Sequence, residues 1–158
     1  MKAGIPAWAI GLVALVLAAC STRLFEVRPD LRPAPTTPSG TSTSTTLESY
    51  KRDLAQRIVA VNSTQVYVGR PQALLRAVIV LKYYVDAEGR LLRTEILRSN
   101  KDRNAEAVAV SAIKRAAPFP KPERNLLRRG EVEIAESWLF NSDGRFQLRS
   151  IAEPQMGE

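Results

Sequence analysis

An alternating run of apolar residues near the middle of the chain most limits the folds open to it. From Ala77 to Val85 every second side chain is apolar, and charged residues fall on the opposite face. A period of two is typical of a β-strand with one buried face. Asp86–Gly89 suits a tight turn that ends in glycine, so the run 90–99 is predicted to return antiparallel. One side of that second run consists of Leu92, Thr94 and Ile96.

Two amphipathic helices are predicted, one before this hairpin and one after it. In the first, from Leu47 to Val61, apolar residues recur at three and four positions, and Thr45 with Glu48 predicts a capping box at its start. The second is predicted from Ala105 to Ala117, with Asn104 as its N-cap and a proline as its stop. Because an isolated hairpin is marginally stable, we expect both helices to pack against it.

A third strand is predicted over residues 131–140. Its buried face is expected to contain one intruding carboxylate, Glu136, among apolar side chains. Those apolar side chains are Val132, Ile134, Trp138 and Phe140. A turn at 141–144 then leads to a short fourth strand with Phe146 and Leu148.

Together these elements predict an α+β fold, namely a small antiparallel three- to four-stranded sheet with two helices packed on one face. The predicted domain covers residues 47–152, and residues 153–158 form a flexible tail. Residues 20–46 are rich in proline, serine and threonine, which predicts a disordered linker because such a segment buries little apolar surface.

The order of these pieces resembles the C-terminal domain shared by the TonB and TolA proteins. The hairpin YYVDAEGRLL at 83–92, the helix AEAVAVSAIKRAA at 105–117 and the exit APFPKP at 117–122 match that domain. Upstream, SYKRDLAQRIVAVN at 49–62 stands where the family has its first helix. The resemblance spans residues 50–140 and implies the same sheet with two helices.

The resemblance also implies that the chain is a protein-binding module, as the TonB C-terminal domain is. In this family an extended segment of an envelope protein adds as a strand to the sheet edge, where backbone hydrogen bonds supply affinity. The corresponding candidate edge strand is 131–140, and its candidate partner-binding residues are Val132, Ile134, Trp138 and Phe140. If residues 145–151 pair with this strand, they cover the edge, and binding then uses the new edge or displaces them.

A homodimer is a further possibility that the sequence leaves open. In that case the third or the fourth strand would pair with the same strand of a second copy, and the protein would have a structural role. The homodimer hypothesis and the hypothesis of an envelope-protein partner both rely on an edge strand, so they differ only in which molecule pairs with it.

The first 20 residues have the composition of an export signal. A lysine precedes an apolar run that ends in Leu17–Cys20, which is similar to a bacterial lipobox. In such signals the cysteine is lipidated and becomes the first residue of the mature chain, and Cys20 is the only cysteine here. We therefore expect a signal peptide at 1–19, a lipoprotein anchored to the membrane through Cys20, and a serine at position 21 that points to the periplasmic side of the outer membrane.

An uncleaved membrane anchor is the alternative for the same segment. Ala3 to Thr22 contains no charged residue, and about 20 residues of helix at ~1.5 Å each extend about 30 Å, enough to cross a bilayer. This anchor would hold the chain in the inner membrane, facing the periplasm, as a TonB-like energy transducer that serves outer-membrane transport. Members of the family that transduce energy often have a histidine in the span and carry longer proline-rich linkers, and this sequence has neither.

Composition argues against several other functions. The chain has 158 residues, no histidine and one cysteine, which removes imidazole bases, most zinc sites and internal disulfides. The formal net charge of +7 is dispersed along the sequence and lacks interleaved aromatic residues, so we expect no nucleic-acid binding. Glu131, Glu133 and Glu136 form the only tight carboxylate group, which offers too few oxygens for calcium. The sequence predicts no catalytic residues, no metal, no cofactor and no enzymatic activity.

Overall fold

The structure is a computed structural model that describes residues 40–155. The predicted signal peptide, Cys20 and most of the predicted linker lie outside these residues. The longer helices and the strands are α1 (Leu47–Val61), β1 (Ala77–Asp86), β2 (Leu91–Arg98), α2 (Arg103–Ala116), β3 (Glu131–Phe140) and β4 (Phe146–Leu148). Short 3-10 helices occupy Ser63–Gln65 and Arg124–Leu126.

The four strands form one antiparallel sheet in the order β2-β1-β3-β4. β1 pairs along its whole length with β3, from Ala77 opposite Phe140 to Asp86 opposite Glu131. The predicted turn joins β1 to β2 as one hairpin, and a second turn joins β3 to β4 as another. The connection between the two hairpins contains α2, and it places β3 beside β1. The α+β fold with two helices, predicted from the sequence, is confirmed.

The core lies between the helices and one face of the sheet. The alternate residues predicted to face inward along β1 are all buried: Ala77, Ile79, Leu81, Tyr83 and Val85. Alanines on α2 are fully buried beneath them, since small side chains permit a close approach of helix and sheet. Tyr83 stacks on Phe119 of the proline-rich exit with ring centroids 6.0 Å apart, which fixes that exit against the sheet.

The helix caps differ from the predicted ones by one or two residues. Thr46, rather than Thr45, is the N-cap of α1, and Ser49 completes the capping box. At α2 the cap is Asp102, because its carboxylate accepts from the backbone N–H groups of both Asn104 and Ala105. Adjacent residues of capping type compete for the same position, and the ionised Asp102 also favours the helix N-terminus.

The ordered domain begins earlier than the sequence predicted. Ser42, placed in the linker, is buried and donates a hydrogen bond to Asp53, and Ser44 donates to the same carboxylate at 2.7 Å. The backbone of Ser42 also lies beside the proline-rich exit, since the Ser42 N–H donates to the Lys121 C=O at 2.9 Å. Two hydroxyls of the segment predicted as a linker, those of Ser42 and Ser44, therefore bind a carboxylate of α1.

The tail also has contacts within the domain. The Gln155 side-chain amide donates to the backbone C=O of Gln72 at 2.6 Å, and Glu153 lies 3.7 Å from Arg70. Residues 153–155, which belong to the predicted flexible tail, line a groove on the helix-free face of the sheet together with Val78 and Val80. Within residues 40–155, no helix is long and apolar enough to cross a membrane.

Candidate protein-binding edges of the sheet

The side chains predicted to bind a partner lie in the core. Val132, Ile134, Trp138 and Phe140 are each at most 2% exposed, and they face the helices. Their direction follows from the period of two, because the alternate residues of β3 face the opposite side. These side chains hold the sheet to the helices, so any recognition along β3 has to use its backbone and its neighbours.

The backbone of β3 directs alternate residues towards β1 and away from it. The Phe140 C=O accepts from Arg76 in the β1 direction, whereas the Ser137 C=O accepts from Arg149 on the other side. In an antiparallel ladder this alternation continues along the strand, so Glu133 and Ala135 also point their N–H and C=O groups away from β1.

Most of this outward edge is already occupied. β4 pairs with β3 from Trp138 to Phe140, and the Ser137 N–H donates to the Glu136 carboxylate at 2.7 Å. At the other end, Glu131 exchanges backbone hydrogen bonds with Arg128. Within residues 40–155, the backbone groups of Glu133 and Ala135 therefore remain without a partner on this side, and both residues are exposed.

β4 does not offer a replacement edge. On its outer side the Tyr67 N–H donates to the Phe146 C=O at 2.9 Å, and the Gln147 side chain donates to the Gly69 C=O. The loop after α1 thus covers β4, as expected for an edge protected from aggregation. The open part of this side of the sheet is the short stretch of β3 at Glu133 and Ala135.

A groove of about 640 Å³ lies beside this open stretch. Leu47 at the start of α1, Leu126 and Val132 supply apolar lining, and Arg128 and Arg129 supply exposed positive charge. Neither arginine forms an ion pair with any residue in 40–155. Apolar floor and unpaired guanidinium groups are the features that select a side-chain pattern in an added strand.

Glu131, at the rim of this groove, is already bound within the sheet. Arg93 of β2 donates to both of its carboxylate oxygens at 2.8 Å, a bidentate geometry that is specific to arginine and carboxylate. These hydrogen bonds hold the pKa of Glu131 below its ordinary value. The same guanidinium stacks over the ring of Tyr84 at 3.4 Å, so a polar cluster joins β2, β1 and β3 on the helix-free face.

The outer edge of β2 is a second open stretch, which the sequence reasoning did not single out. Irregularities in its pairing with β1 fall near Leu92 and Leu97, and regular pairing joins residues 93–96 to β1. Leu92, Ile96 and Leu97 are 48%, 45% and 52% exposed. The sequence signal was present, because apolar residues occupied both faces of this run where one buried face needs only one.

A buried carboxylate lies under the centre of β3. Glu136 is 1% exposed; its carboxylate accepts from the Ser137 N–H and the Ser150 hydroxyl. Burial raises the pKa of Glu136, and the hydrogen bonds and the charge of Lys51 offset only part of that rise. The hydroxyl of Tyr83 is buried nearby without a hydrogen-bond partner in the described part of the chain.

This buried carboxylate is not part of a metal-binding cluster in the described residues. No cluster of three or more histidine, cysteine, aspartate or glutamate side chains suited to a metal ion occurs between residues 40 and 155. The two open strand edges and the groove beside one of them are features of the structure that can engage another molecule.

Comparison with known proteins gives no further guide. No protein-family model, no curated protein and no solved structure matches this chain.

Proposed function

We propose that this chain is a membrane-anchored, periplasmic protein-binding module that holds an extended segment of another envelope protein against β3. The observation that carries the proposal is the open backbone of Glu133 and Ala135 beside a groove with unpaired arginines. Strand addition needs both parts: backbone groups to pair with and a shaped surface to select side chains.

The groove indicates the chemistry of the partner segment. An extended strand presents alternate side chains to opposite faces, so one set meets Leu47 and Leu126 and the other meets solvent or charge. Arg128 and Arg129 favour carboxylate groups at the end of the groove. We expect an extended segment in which apolar residues alternate with polar ones and an aspartate or glutamate lies near one end.

The short open stretch limits the strength of binding. β4 closes one end and the Arg128–Glu131 turn closes the other, so a partner strand gains hydrogen bonds only at Glu133 and Ala135. Such a contact is weak unless both proteins are confined to the same compartment. A lipid on Cys20, with the apolar segment before it acting as an export signal, supplies that confinement at a membrane.

The resemblance to the TonB and TolA C-terminal domain supports the same reading. In the sequence, the hairpin, the Ala-rich helix and the proline-rich exit occur in the order typical of that family. The α+β fold is compatible with this order, and the resemblance implies that the partner-pairing strand of the family corresponds to β3. Energy transduction is not part of the proposal, because the segment before Thr22 has no histidine and the linker is short.

A photo-crosslinking experiment tests the β3 site in intact cells. A photoreactive amino acid placed at Glu133, in the full chain, should crosslink to an extended segment of an envelope protein, whereas the same group at Glu88 in the β1–β2 turn should not. Ala135→Pro should abolish the Glu133 crosslink, because proline removes an outward N–H without breaking the ladder to β1.

The fold of the proline variant is checked by circular dichroism, and Thr94→Pro on the opposite edge is the matched control. A crosslink from position 133 that persists in Ala135→Pro would show that the partner does not pair with β3. Equal crosslinking from positions 133 and 88 would show that the contact is non-specific. Either result refutes the proposed site.

A further inference from the structure

The open edge of β2 has a backbone pattern suited to pairing. The backbone N–H and C=O groups of Asp86 form hydrogen bonds in the turn towards β2, so the other even-numbered residues of β1 also direct their backbone groups towards β2. Two of these residues pair with Arg93 and Glu95. Thr94 and Ile96 therefore direct their backbone groups outward, and the Leu92 C=O points the same way because it precedes the inward N–H of Arg93. Nothing in residues 40–155 pairs with these groups.

The side chains of this edge are complementary to themselves. Arg93 and Glu95 lie on the same face of β2, since one stacks on Tyr84 and the other lies 3.8 Å from Lys82 on the helix-free side. If two copies of β2 pair antiparallel with Thr94 opposite Thr94, then Arg93 of each copy lies opposite Glu95 of the other. Within its own sheet Arg93 also binds Glu131, so the facing Glu95 adds a second negative charge beside a guanidinium that is already paired.

The charges distinguish this register from its neighbours. Moving one strand by two residues places either Arg93 opposite Arg93 or Glu95 opposite Glu95, and like charges directly opposite each other are destabilising. Moving it by one residue puts inward-facing backbone groups opposite outward-facing ones and forfeits the hydrogen bonds. The register centred on Thr94 keeps both the hydrogen bonds and the charge pairs.

We propose that β2 is a homodimer interface in which two copies pair antiparallel about a two-fold axis at Thr94, joining their sheets into one. The occupant is a second copy because an isologous contact requires a self-complementary patch, and the alternation of sign about Thr94 provides one, although Arg93 also binds Glu131 and Glu95 lies near Lys82 in the same sheet. The contact also covers Leu92, Ile96 and Leu97, whose exposure near a single edge is otherwise unfavourable.

This interface goes beyond the proposed function and lies on the other edge of the sheet. The order β2-β1-β3-β4 puts β1 between β2 and the open stretch of β3, so a dimer and a bound partner do not compete. The sequence leaves open a homodimer through the third or fourth strand. β4 is covered by the Val66–Gly69 loop, and this leaves β2 as the longer open edge.

Cysteine crosslinking in membranes tests the interface and its register. Opposed residues in a hydrogen-bonded antiparallel pair have Cα atoms about 5.5 Å apart, within the range of a disulfide. Full-length Thr94→Cys should therefore give an oxidised dimer about tenfold above the wild-type chain, which reports any background from Cys20. Leu92→Cys is the matched control, because its two copies would be about 14 Å apart in this register.

Each outcome decides the proposal. A dimer from Thr94→Cys with Leu92→Cys at the wild-type level supports the two-fold at Thr94. Thr94→Cys at the wild-type level, in a chain whose circular dichroism is unchanged, overturns it. Equal crosslinking of both variants means that collision, rather than this register, brings the thiols together, and it also overturns the proposal.

A charge variant gives an independent check of the same register. Glu95→Arg places arginine opposite Arg93 at both ends of the pair, so the dimer dissociation constant should rise about tenfold. Ala135→Pro should leave the Thr94→Cys crosslink unchanged, while Thr94→Pro should leave the Glu133 photo-crosslink unchanged. These reciprocal controls separate failure of the dimer from failure of the proposed partner site, and an unchanged dissociation constant in Glu95→Arg contradicts the register.

Discussion

Gly89, in the turn between β1 and β2, supports a strong prediction about stability. Its φ is +82°, a left-handed conformation that residues with a Cβ rarely adopt. A Cβ there would lie 2.1 Å from the C=O oxygen of Phe119, a backbone atom that cannot rotate away. The two segments are also joined by a hydrogen bond of 2.8 Å from the Phe119 N–H to the Gly89 C=O. Gly89→Ala should therefore separate the turn from the proline-rich exit.

The magnitude follows from two contributions. The left-handed conformation costs an alanine about 1–2 kcal/mol. Forcing a methyl group into closely packed backbone costs about 1–3 kcal/mol more. The expected loss in the free energy of unfolding is thus about 2–5 kcal/mol, a large part of the total stability of a domain of this size.

Gly130→Ala is a matched control for the conformational contribution. Gly130 has a φ of +85°, nearly that of Gly89, but no heavy atom lies within 4 Å of an added Cβ. It should lose only about 1–2 kcal/mol. The difference between the two variants isolates the close approach to Phe119.

Urea unfolding of the full chain in a mild detergent, followed by circular dichroism, gives both values from the transition midpoints at a common slope. Gly89→Ala should unfold at clearly lower urea than Gly130→Ala. Equal midpoints for the two variants would refute the reasoning, because they would show that the turn and the exit do not press on each other as the structure indicates.

Two further predictions concern Glu136 and Cys20. Since burial raises the pKa of Glu136, the folded state holds its proton more tightly than the unfolded state, and this carboxylate lowers stability as pH rises from its ordinary value near 4.5. Glu136→Gln, which retains an acceptor for Ser137, should gain stability relative to wild type as pH rises above 4.5 in urea unfolding; a difference that is flat or falls with pH would contradict this. For the anchor, the intact mass of the chain from membranes of a diderm bacterium should show loss of residues 1–19 and a diacylglycerol on Cys20, whereas an unmodified chain starting at Met1 would establish an uncleaved anchor.

The sequence predicted the elements whose signal is local. The period of two in β1 and β3 identifies the buried face of each strand without knowledge of the rest of the fold, because a shift by one residue would place charged side chains in the core. Both hairpins were predicted from short turns that end in glycine, because few other residues adopt the required φ. Even the intrusion of Glu136 into the buried face was visible, although its hydrogen bond from Ser150 was not.

The sequence did not predict which edges of the sheet are open, because coverage depends on distant segments. Tyr67 and Gly69 cover β4 across more than 70 residues of chain, as the hydrogen bonds to Phe146 and Gln147 show. In the same way, the burial of Ser42 depends on Asp53 in the helix and on the proline-rich exit. Composition predicts a linker for such segments, because the sequence does not distinguish a hydroxyl group that binds water from one that binds a buried carboxylate.

The two open edges differ in a way that argues for different partners. The stretch at Glu133 is short and lies beside a groove, and the two arginines of that groove form no ion pair within residues 40–155, so they favour a foreign segment that supplies a carboxylate. On β2, Arg93 binds Glu131 and Glu95 lies near Lys82, and the two residues are spaced so that a two-fold axis at Thr94 brings opposite signs to facing positions. An edge designed only to bind a foreign strand has no need of that symmetry, and an edge designed only to repel other strands would carry like charges. A dimer through β2 would also present two β3 grooves on one membrane surface, so a partner with two extended segments, or two copies of one, would bind more tightly than a single groove allows.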